Sequence, residues 1–370
     1  MSEWRPDVLG DHWEQRDLPL PGGAMATLVR LREAGRLREA GRPRGAGERA
    51  NQATRPAAGD SGPAADGGAD GSAGPAVLYL HGFVDYFFQA HVAQALERRG
   101  YRFYAVDLRG YGRSLGRGAE EGGPNHTSDL AVYHQDLDAA VDVIRAQGHS
   151  RLGFMGHSTG GLIGPLYADS HPGLFQAMVL NSPWLDLNEN WLLRGPVSRA
   201  IGLLARVAPK VKVSGLWPYY GEALHAATGG EWDYNLAWKP HLGFPVSAGW
   251  LAQIRRAHRR VANGLDVRAP VLVLTSDRRG PNRRMHPEVI TTDSVLDPAQ
   301  MWARAPKLGR DTATLAIAGG AHDLALSPEP ARTHYINAAL EWFDLHLAPG
   351  GRAAEEVSEQ APEPAKEATP

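Results

Sequence analysis

Residues Gly156-His157-Ser158-Thr159-Gly160 follow a short apolar run, Leu152-Gly153-Phe154-Met155, and precede the small and apolar stretch Gly161-Leu-Ile-Gly-Pro-Leu-Tyr-Ala. A strand that turns sharply into a helix lifts the middle serine onto a strained elbow, with its hydroxyl exposed above the sheet. The flanking glycines remove Cβ atoms that would crowd strand against helix. A lone G-x-S-x-G is a weak signal in a chain with 43 glycines, but its place after an apolar strand makes Ser158 the candidate nucleophile.

A serine hydroxyl is a poor nucleophile at neutral pH and needs a base within hydrogen-bond reach, itself oriented by an acid. Of fifteen histidines, His322 in Ala318-Gly-Gly-Ala-His322-Asp323 is the expected base, because it lies just past the last apolar run. His334 and His346 fall in a predicted helix, and His157 is expected to point away from its neighbour's hydroxyl. Two carboxylates compete for the acid's place. Asp277 ends the run Val271–Ser276, whereas Asp293 stands just before a helix beginning at Pro298, with 278–290 as a loop insertion. The pattern Asp-x-apolar-apolar before that helix favours Asp293 and leaves Asp277 as the alternative. Asp297 has its own explanation as an N-cap ahead of a proline at the first helical position.

An oxyanion developing on the substrate calls for backbone N–H donors. The N–H of Thr159 is one candidate. The other is that of Phe83, in His81-Gly82-Phe83-Val84-Asp85-Tyr86, where Gly82 lets the chain turn and His81 is expected to brace the loop. The segment Asp107-Leu-Arg-Gly-Tyr-Gly-Arg-Ser114 contains neither G-x-G-x-x-G nor a Walker lysine, and reads as a structural loop beside the pocket. No H-E-x-x-H spacing occurs, so neither metal nor cofactor is expected.

The elements that must position these groups alternate. Strands are expected at Val77–Leu80, Phe103–Asp107, Ala177–Leu180, Val271–Ser276 and Thr314–Ile317, besides the elbow strand. Helices are expected at Phe87–Arg99, Asp129–Gln147 and Pro328–Leu347. This order predicts an α/β class fold, a mostly parallel sheet with helices on both faces. Residues 1–33 read as an N-terminal β-hairpin of the core. Residues 34–75, rich in Gly, Ala and Pro, and the tail 349–370 cannot bury enough surface to order themselves and read as a flexible insertion and a disordered end. The core then comprises 76–182 and 251–348, interrupted by 183–250, which holds six of the ten tryptophans: Trp184, Trp191, Trp217, Trp232, Trp238 and Trp250. That insertion is expected to cap the carboxyl edge of the sheet, where ligands of open α/β sheets bind, with Trp184 as the candidate pocket residue.

The chain's 370 residues suffice for a substantial core, and its net charge of −2 gives no electrostatic case for nucleic acid. It contains no cysteine, which excludes disulfides, thiolate nucleophiles and cysteine metal sites. Charged residues break up the first twenty positions and no apolar run is long enough for a membrane span, so a cytoplasmic protein is expected.

Together, His81-Gly82-Phe83, Asp107-Leu-Arg-Gly-Tyr-Gly-Arg-Ser114, Gly156-His-Ser-Thr-Gly160 and Gly320-Ala-His322-Asp323 resemble the α/β-hydrolase superfamily. Within it the chain is most similar to the monoacylglycerol lipase and lysophospholipase group, also classified as serine aminopeptidases. The resemblance spans about residues 75–347 and implies Ser158 as nucleophile, His322 as base, Asp293 as acid, and Phe83 and Thr159 as oxyanion donors. It implies a helical cap and a small-molecule ester or lipid substrate with an apolar acyl chain. Two other readings stay open: a peptidase or amidase, for which Glu189, Glu222, Glu231 or Asp233 would bind a substrate amine, and a non-catalytic binding protein of the same fold.

Overall fold

A computed structural model describes residues 3–32, 73–118, 123–187 and 198–348. The glycine-rich insertion up to residue 72, the tail 349–370, Glu189 and Trp191 lie outside the described residues. The N-terminal strands are β1 (Arg5–Asp7), β2 (Gly10–Pro19) and β3 (Met25–Leu31). The core continues with β4 (Ala76–Leu80), α1 (Ala90–Arg98), β5 (Arg102–Asp107), α2 (Val132–Ala146), β6 (Leu152–His157), α3 (Gly160–Ser170) and β7 (Ala177–Asn181). An excursion contains α4 (Ser198–Val207), β8 (Lys212–Ser214), α5 (Tyr219–Leu224), β9 (Val246–Ser247) and α6 (Ala248–Asn263). The chain then returns with β10 (Val271–Ser276), α7 (Pro298–Arg304), β11 (Thr312–Ile317) and α8 (Ala331–His346).

Nine strands form one sheet in the order β1-β2-β3-β5-β4-β6-β7-β10-β11. Strands β1, β2 and β3 join antiparallel, and β5, β4, β6, β7, β10 and β11 run parallel. Every residue of β4, β5, β6, β7 and β10 is buried. Strands covered on both faces read as unbroken apolar runs, which is why these were visible in the sequence. One face is covered by α1 and α8 through Val92, Leu96, Tyr335 and Phe343. The other carries α2, α3 and α6 through Tyr133, Leu137, Ile163 and Ile254. Cutting Leu137 to alanine in such a setting costs about 2–5 kcal/mol.

Local hydrogen bonds set where the helices start. The run from Phe87 enters α1 only at Ala90, because the Phe87 and Phe88 N–H groups donate to the Asp107 and Gln89 side chains, both at 3.0 Å. Helix α2 begins at Val132 rather than Asp129, whose carboxylate accepts the Ala131 N–H at 3.0 Å in a turn of its own.

The N-terminal strands are locked to the core by Arg113, a fully buried guanidinium. It donates to Asp7 Oδ2 and Oδ1 at 2.6 and 2.8 Å and to Asp107 Oδ2 at 2.9 Å. Removing one partner of such a group leaves an uncompensated buried charge, at a cost of about 3–5 kcal/mol. In the excursion, β8 and β9 form a small antiparallel sheet. Helix α6 runs through residue 250, where the sequence placed the insertion's end, and packs against α4.

Candidate active site

The chain reverses direction between β6 and α3 at Ser158, whose φ of 51° lies in the left-handed region. A non-glycine residue there is strained by about 1–3 kcal/mol and persists only where its surroundings fix it. The Ser158 N–H donates to the Asn181 carbonyl at 3.0 Å, and the Trp184 N–H donates to the Ser158 carbonyl at 2.9 Å. The turn also needs its glycines. A Cβ on Gly160 would lie 2.4 Å from the Leu80 carbonyl oxygen, and one on Gly156 2.8 Å from that of Gly160.

The structure brings Ser158, His322 and Asp293 together. Ser158 Oγ lies 3.1 Å from His322 Nε2, and His322 Nδ1 lies 3.0 Å from Asp293 Oδ2. Asp293 is wholly buried and His322 nearly so. The other Asp293 oxygen accepts the N–H groups of Val295 and Leu296 at 2.9 and 2.7 Å, which fixes the carboxylate. With Nδ1–H donating to the carboxylate, Nε2 is left to accept from a hydroxyl, so this chain of contacts can remove a proton from Ser158.

Asp277 has no part in this contact. It accepts the Gly319 N–H at 3.3 Å and pairs with Arg278. The loop that leaves β10 doubles back, so that Arg279 and Asp293 pair as a parallel bridge. This return carries Asp293 to the end of β10.

The Phe83 turn abuts the elbow. A Cβ on Gly82 would sit 3.2 Å from Ser158 Cβ and 3.1 Å from the His157 ring. Ser158 N–H is already engaged, while no hydrogen-bond acceptor among the described residues takes the N–H of Phe83 or Thr159. Both residues line the cavity above Ser158. His81 braces this turn as expected: its Nδ1 meets the Gly82 carbonyl at 2.8 Å and its Nε2 accepts the Leu108 N–H at 3.1 Å.

That cavity measures about 470 Å³. Trp184, Trp217 and Trp250 line it, with Leu187, Val213, Leu216 and Val246 of the excursion facing Ser158 and His322. Trp232 and Trp238 instead hold the excursion to the core, the first donating to the Leu326 carbonyl at 3.0 Å and the second edge-on to Tyr86. The loop Asp107–Ser114 lies behind the His81–Phe83 turn, with the Tyr111 ring 4.9 Å from that of His81, and none of its residues lines the cavity. Its Arg113 pairs with Asp7 of the N-terminal strands and with Asp107, and its Arg109 pairs with Asp136.

Sequence reasoning missed a buried polar cluster beneath the site. Asp85, His157 and Asp323 lie with their polar atoms within 4.8 Å of one another. His157 does not turn fully from the site: its ring centre is 5.0 Å from that of His322. Burial holds its imidazole below the ordinary value. Lys239 Nζ donates to Asp85 at 2.6 Å and sets a positive charge beside this cluster. Asp323 is satisfied by Asn181 and Gln89 at 2.7 and 2.9 Å. Asp323 was visible beside His322, but Lys239 arrives only through docking of the excursion.

Comparison with known proteins agrees with this architecture. The family described as "Serine aminopeptidase, S33" matches residues 71–279. A monoacylglycerol lipase of Mycolicibacterium smegmatis is 33% identical over 144 residues, covering 38% of this chain and 48% of the relative. The chain thus spans about half the length of that relative. Lysophospholipase L2 of Escherichia coli is 25% identical over 288 residues, 74% of this chain and 81% of the relative. Among solved structures, a monoglyceride lipase from Saccharomyces cerevisiae superposes with a TM-score of 0.56 at 16% identity, over 94% of this chain and 96% of that one. The monoacylglycerol lipase of Paleococcus ferrophilus gives 0.54 at 19% identity, over 73% and 95%. The chain belongs to the serine aminopeptidase S33 family of the α/β-hydrolase superfamily.

Proposed function

We propose that this hydrolase cleaves carboxylic esters with an apolar acyl chain, of the monoacylglycerol or lysophospholipid type. The observation that carries the reading is the buried chain of contacts from Asp293 through His322 to Ser158 Oγ, opening on a cavity walled by tryptophan, leucine and valine. His322 Nε2 takes the hydroxyl proton as Ser158 Oγ attacks the ester carbonyl. The oxyanion accepts from the Phe83 and Thr159 N–H groups. His322 then returns the proton to the leaving alcohol, and water repeats the sequence to release the acid.

A peptidase acting on a free amino terminus needs an acidic group in the pocket. Among the described candidates, Glu222, Glu231 and Asp233 are absent from the cavity wall, and Glu231 is paired with Arg332 at 2.6 Å. Asp85 and Asp323 do line it, yet both are already satisfied, Asp85 by Lys239 and Asp323 by Asn181 and Gln89. These partners favour an ester over an aminoacyl substrate.

A fluorophosphonate probe together with p-nitrophenyl esters and aminoacyl anilides tests the reading. The wild type should be labelled and should turn over esters faster than anilides. Ser158→Ala should abolish labelling and lower turnover by roughly 10⁴-fold or more. Labelling that survives in that variant overturns the nucleophile, and an unlabelled wild type points to the binding protein instead.

A further inference from the structure

Asp85 lies three residues beyond Gly82 and faces two ways. Its Oδ2 accepts the Gly82 N–H at 3.2 Å, and its Oδ1 accepts from Lys239 Nζ at 2.6 Å. The first contact closes the turn that presents the Phe83 N–H to the cavity, and the second comes from the excursion that roofs it. We propose that Asp85 is a positioning residue for the oxyanion turn, through which docking of the cap by Lys239 fixes the direction of the Phe83 N–H. The inference rests on the serine-hydrolase reading above.

The turn cannot hold itself. Val84 has a φ of 51°, unfavourable for a β-branched residue, so an outside contact must over-determine the conformation. Gly82 sits against Ser158 and His157 with no space to relax inward. The Phe83 ring is held against Trp250 at 4.2 Å between ring centres, which leaves the peptide on its amino side to be set by Gly82 and Asp85.

Asp85 acts most strongly in this way as an anion, because a carboxylate is the stronger acceptor for a backbone N–H. Burial pushes its carboxyl up most strongly, but the Lys239 ammonium together with the His157 and His81 rings holds it below the ordinary value. Lys239 is itself placed by two aromatic faces, at 5.6 Å from Phe88 of the core and 5.7 Å from Tyr234 of the cap. A lysine of the cap thus stands one carboxylate away from the backbone beside the nucleophile.

The test uses Asp85→Ala, Asp85→Asn and Lys239→Met in the full chain, with kcat and KM for a p-nitrophenyl ester. Near-ultraviolet circular dichroism and fluorophosphonate titration establish the folded, active fraction. Asp85→Ala should lower kcat per active site by about 10²-fold, within the range for losing one oxyanion donor, with little change in KM. Asp85→Asn keeps an acceptor for Gly82 and should retain more of kcat than the alanine variant. Lys239→Met should lower kcat by roughly tenfold, and decides the matter if Asp85→Ala does not fold. Affinity for a trifluoromethyl ketone, which forms the oxyanion, should fall in parallel with kcat, while affinity for the fatty-acid product should not. Values of kcat within twofold of the wild type, or a rise in KM at constant kcat, overturn the assignment and leave a plain tie between cap and core. If ester turnover survives Ser158→Ala, the underlying reading fails and the assignment falls with it. If Ser158 is essential and the Asp85 and Lys239 variants are silent, only the assignment falls.

Discussion

Arg279 and Asp293 lie side by side as a parallel bridge beyond β10, with the Asp293 N–H donating to the Arg278 carbonyl at 3.0 Å and the Gly280 N–H to the Asp293 carbonyl at 2.7 Å. The intervening loop therefore leaves the strand end and returns to it, and the returning segment supplies the carboxylate that meets His322. Asp293→Asn should lower kcat by roughly 10⁴-fold by leaving the imidazole in the wrong tautomer. Asp277→Asn should leave kcat nearly unchanged. Ester kinetics on the two variants check the assignment, and the opposite ranking would reverse it.

The same loop is closed by a glycine with no room to spare. A Cβ on Gly280 would stand 1.8 Å from Thr292 Oγ1 and 2.8 Å from Ser294 Oγ. Gly280→Ala should therefore force the returning segment outward and destabilise the fold by about 1–3 kcal/mol, the usual cost of overpacking. Because Asp293 rides on that segment, kcat should fall even in the folded fraction. Urea titration and ester kinetics read the two effects separately, and unchanged kcat would mean that the loop moves without carrying Asp293.

Chain length should register in kcat/KM. Each methylene buried in the cavity contributes roughly 0.8 kcal/mol, so each added CH₂ from butyrate to octanoate should raise kcat/KM by up to about fourfold until the space is filled. Trp217, partly exposed at the cavity wall, should contribute to that slope, and Trp217→Ala should flatten it for the longer esters. A series that peaks at acetate, or anilides cleaved faster than any ester, would reject the acyl-chain reading and leave Ser158 in place.

His258 gives the fold a dependence on pH. Burial, reinforced by Arg255, pushes its imidazole down from 6.5 to about 3. Its Nε2 meets the Trp184 carbonyl at 2.9 Å, and Arg255 reaches its Nδ1 at 3.3 Å, so the neutral ring fits both contacts. The unfolded chain takes up the proton that the folded one refuses. The group's full contribution is thus present above about pH 6.5 and is lost on acidification toward pH 3, by up to about 1.4 kcal/mol per pH unit. His258→Gln keeps a donor for Trp184 and should show a shallower loss between pH 6.5 and 5 in denaturant titrations. Equal slopes in the two proteins would refute the contribution.

The central strands and the Ser158 elbow were legible because burial on both faces and a steric need for glycine write themselves into adjacent residues. His322 was legible for a related reason, as a polar residue placed just past a strand. Other features depend on contacts between distant segments, which leave little local trace. The choice between Asp277 and Asp293 turned on a loop that doubles back. The start of α1 was set by the Asp107 carboxylate, twenty residues from the Phe87 N–H it accepts. Lys239 looks like any surface lysine in the sequence, and only the docked cap gives it Asp85 as a partner. The unexpected proximity of His157 to His322 likewise depended on the loop after β11 coming to lie beside the first half of the site.

Strand β10 takes its place directly against β7, although the entire cap is threaded between them. Ser158 and His322 meet across 164 residues, so their contact has to await closure of that excursion. Loop-closure entropy is spent before such pairings return any stabilisation, which makes assembly of the second half slow relative to local helices. During synthesis the first half leaves the ribosome with the β7 edge bare and an apolar flank that β10 will later cover. Until then Ser158 stands on its elbow without the His322 contact, so the Ser158–His322 pairing arrives as a late event, a built-in report that the two halves have joined.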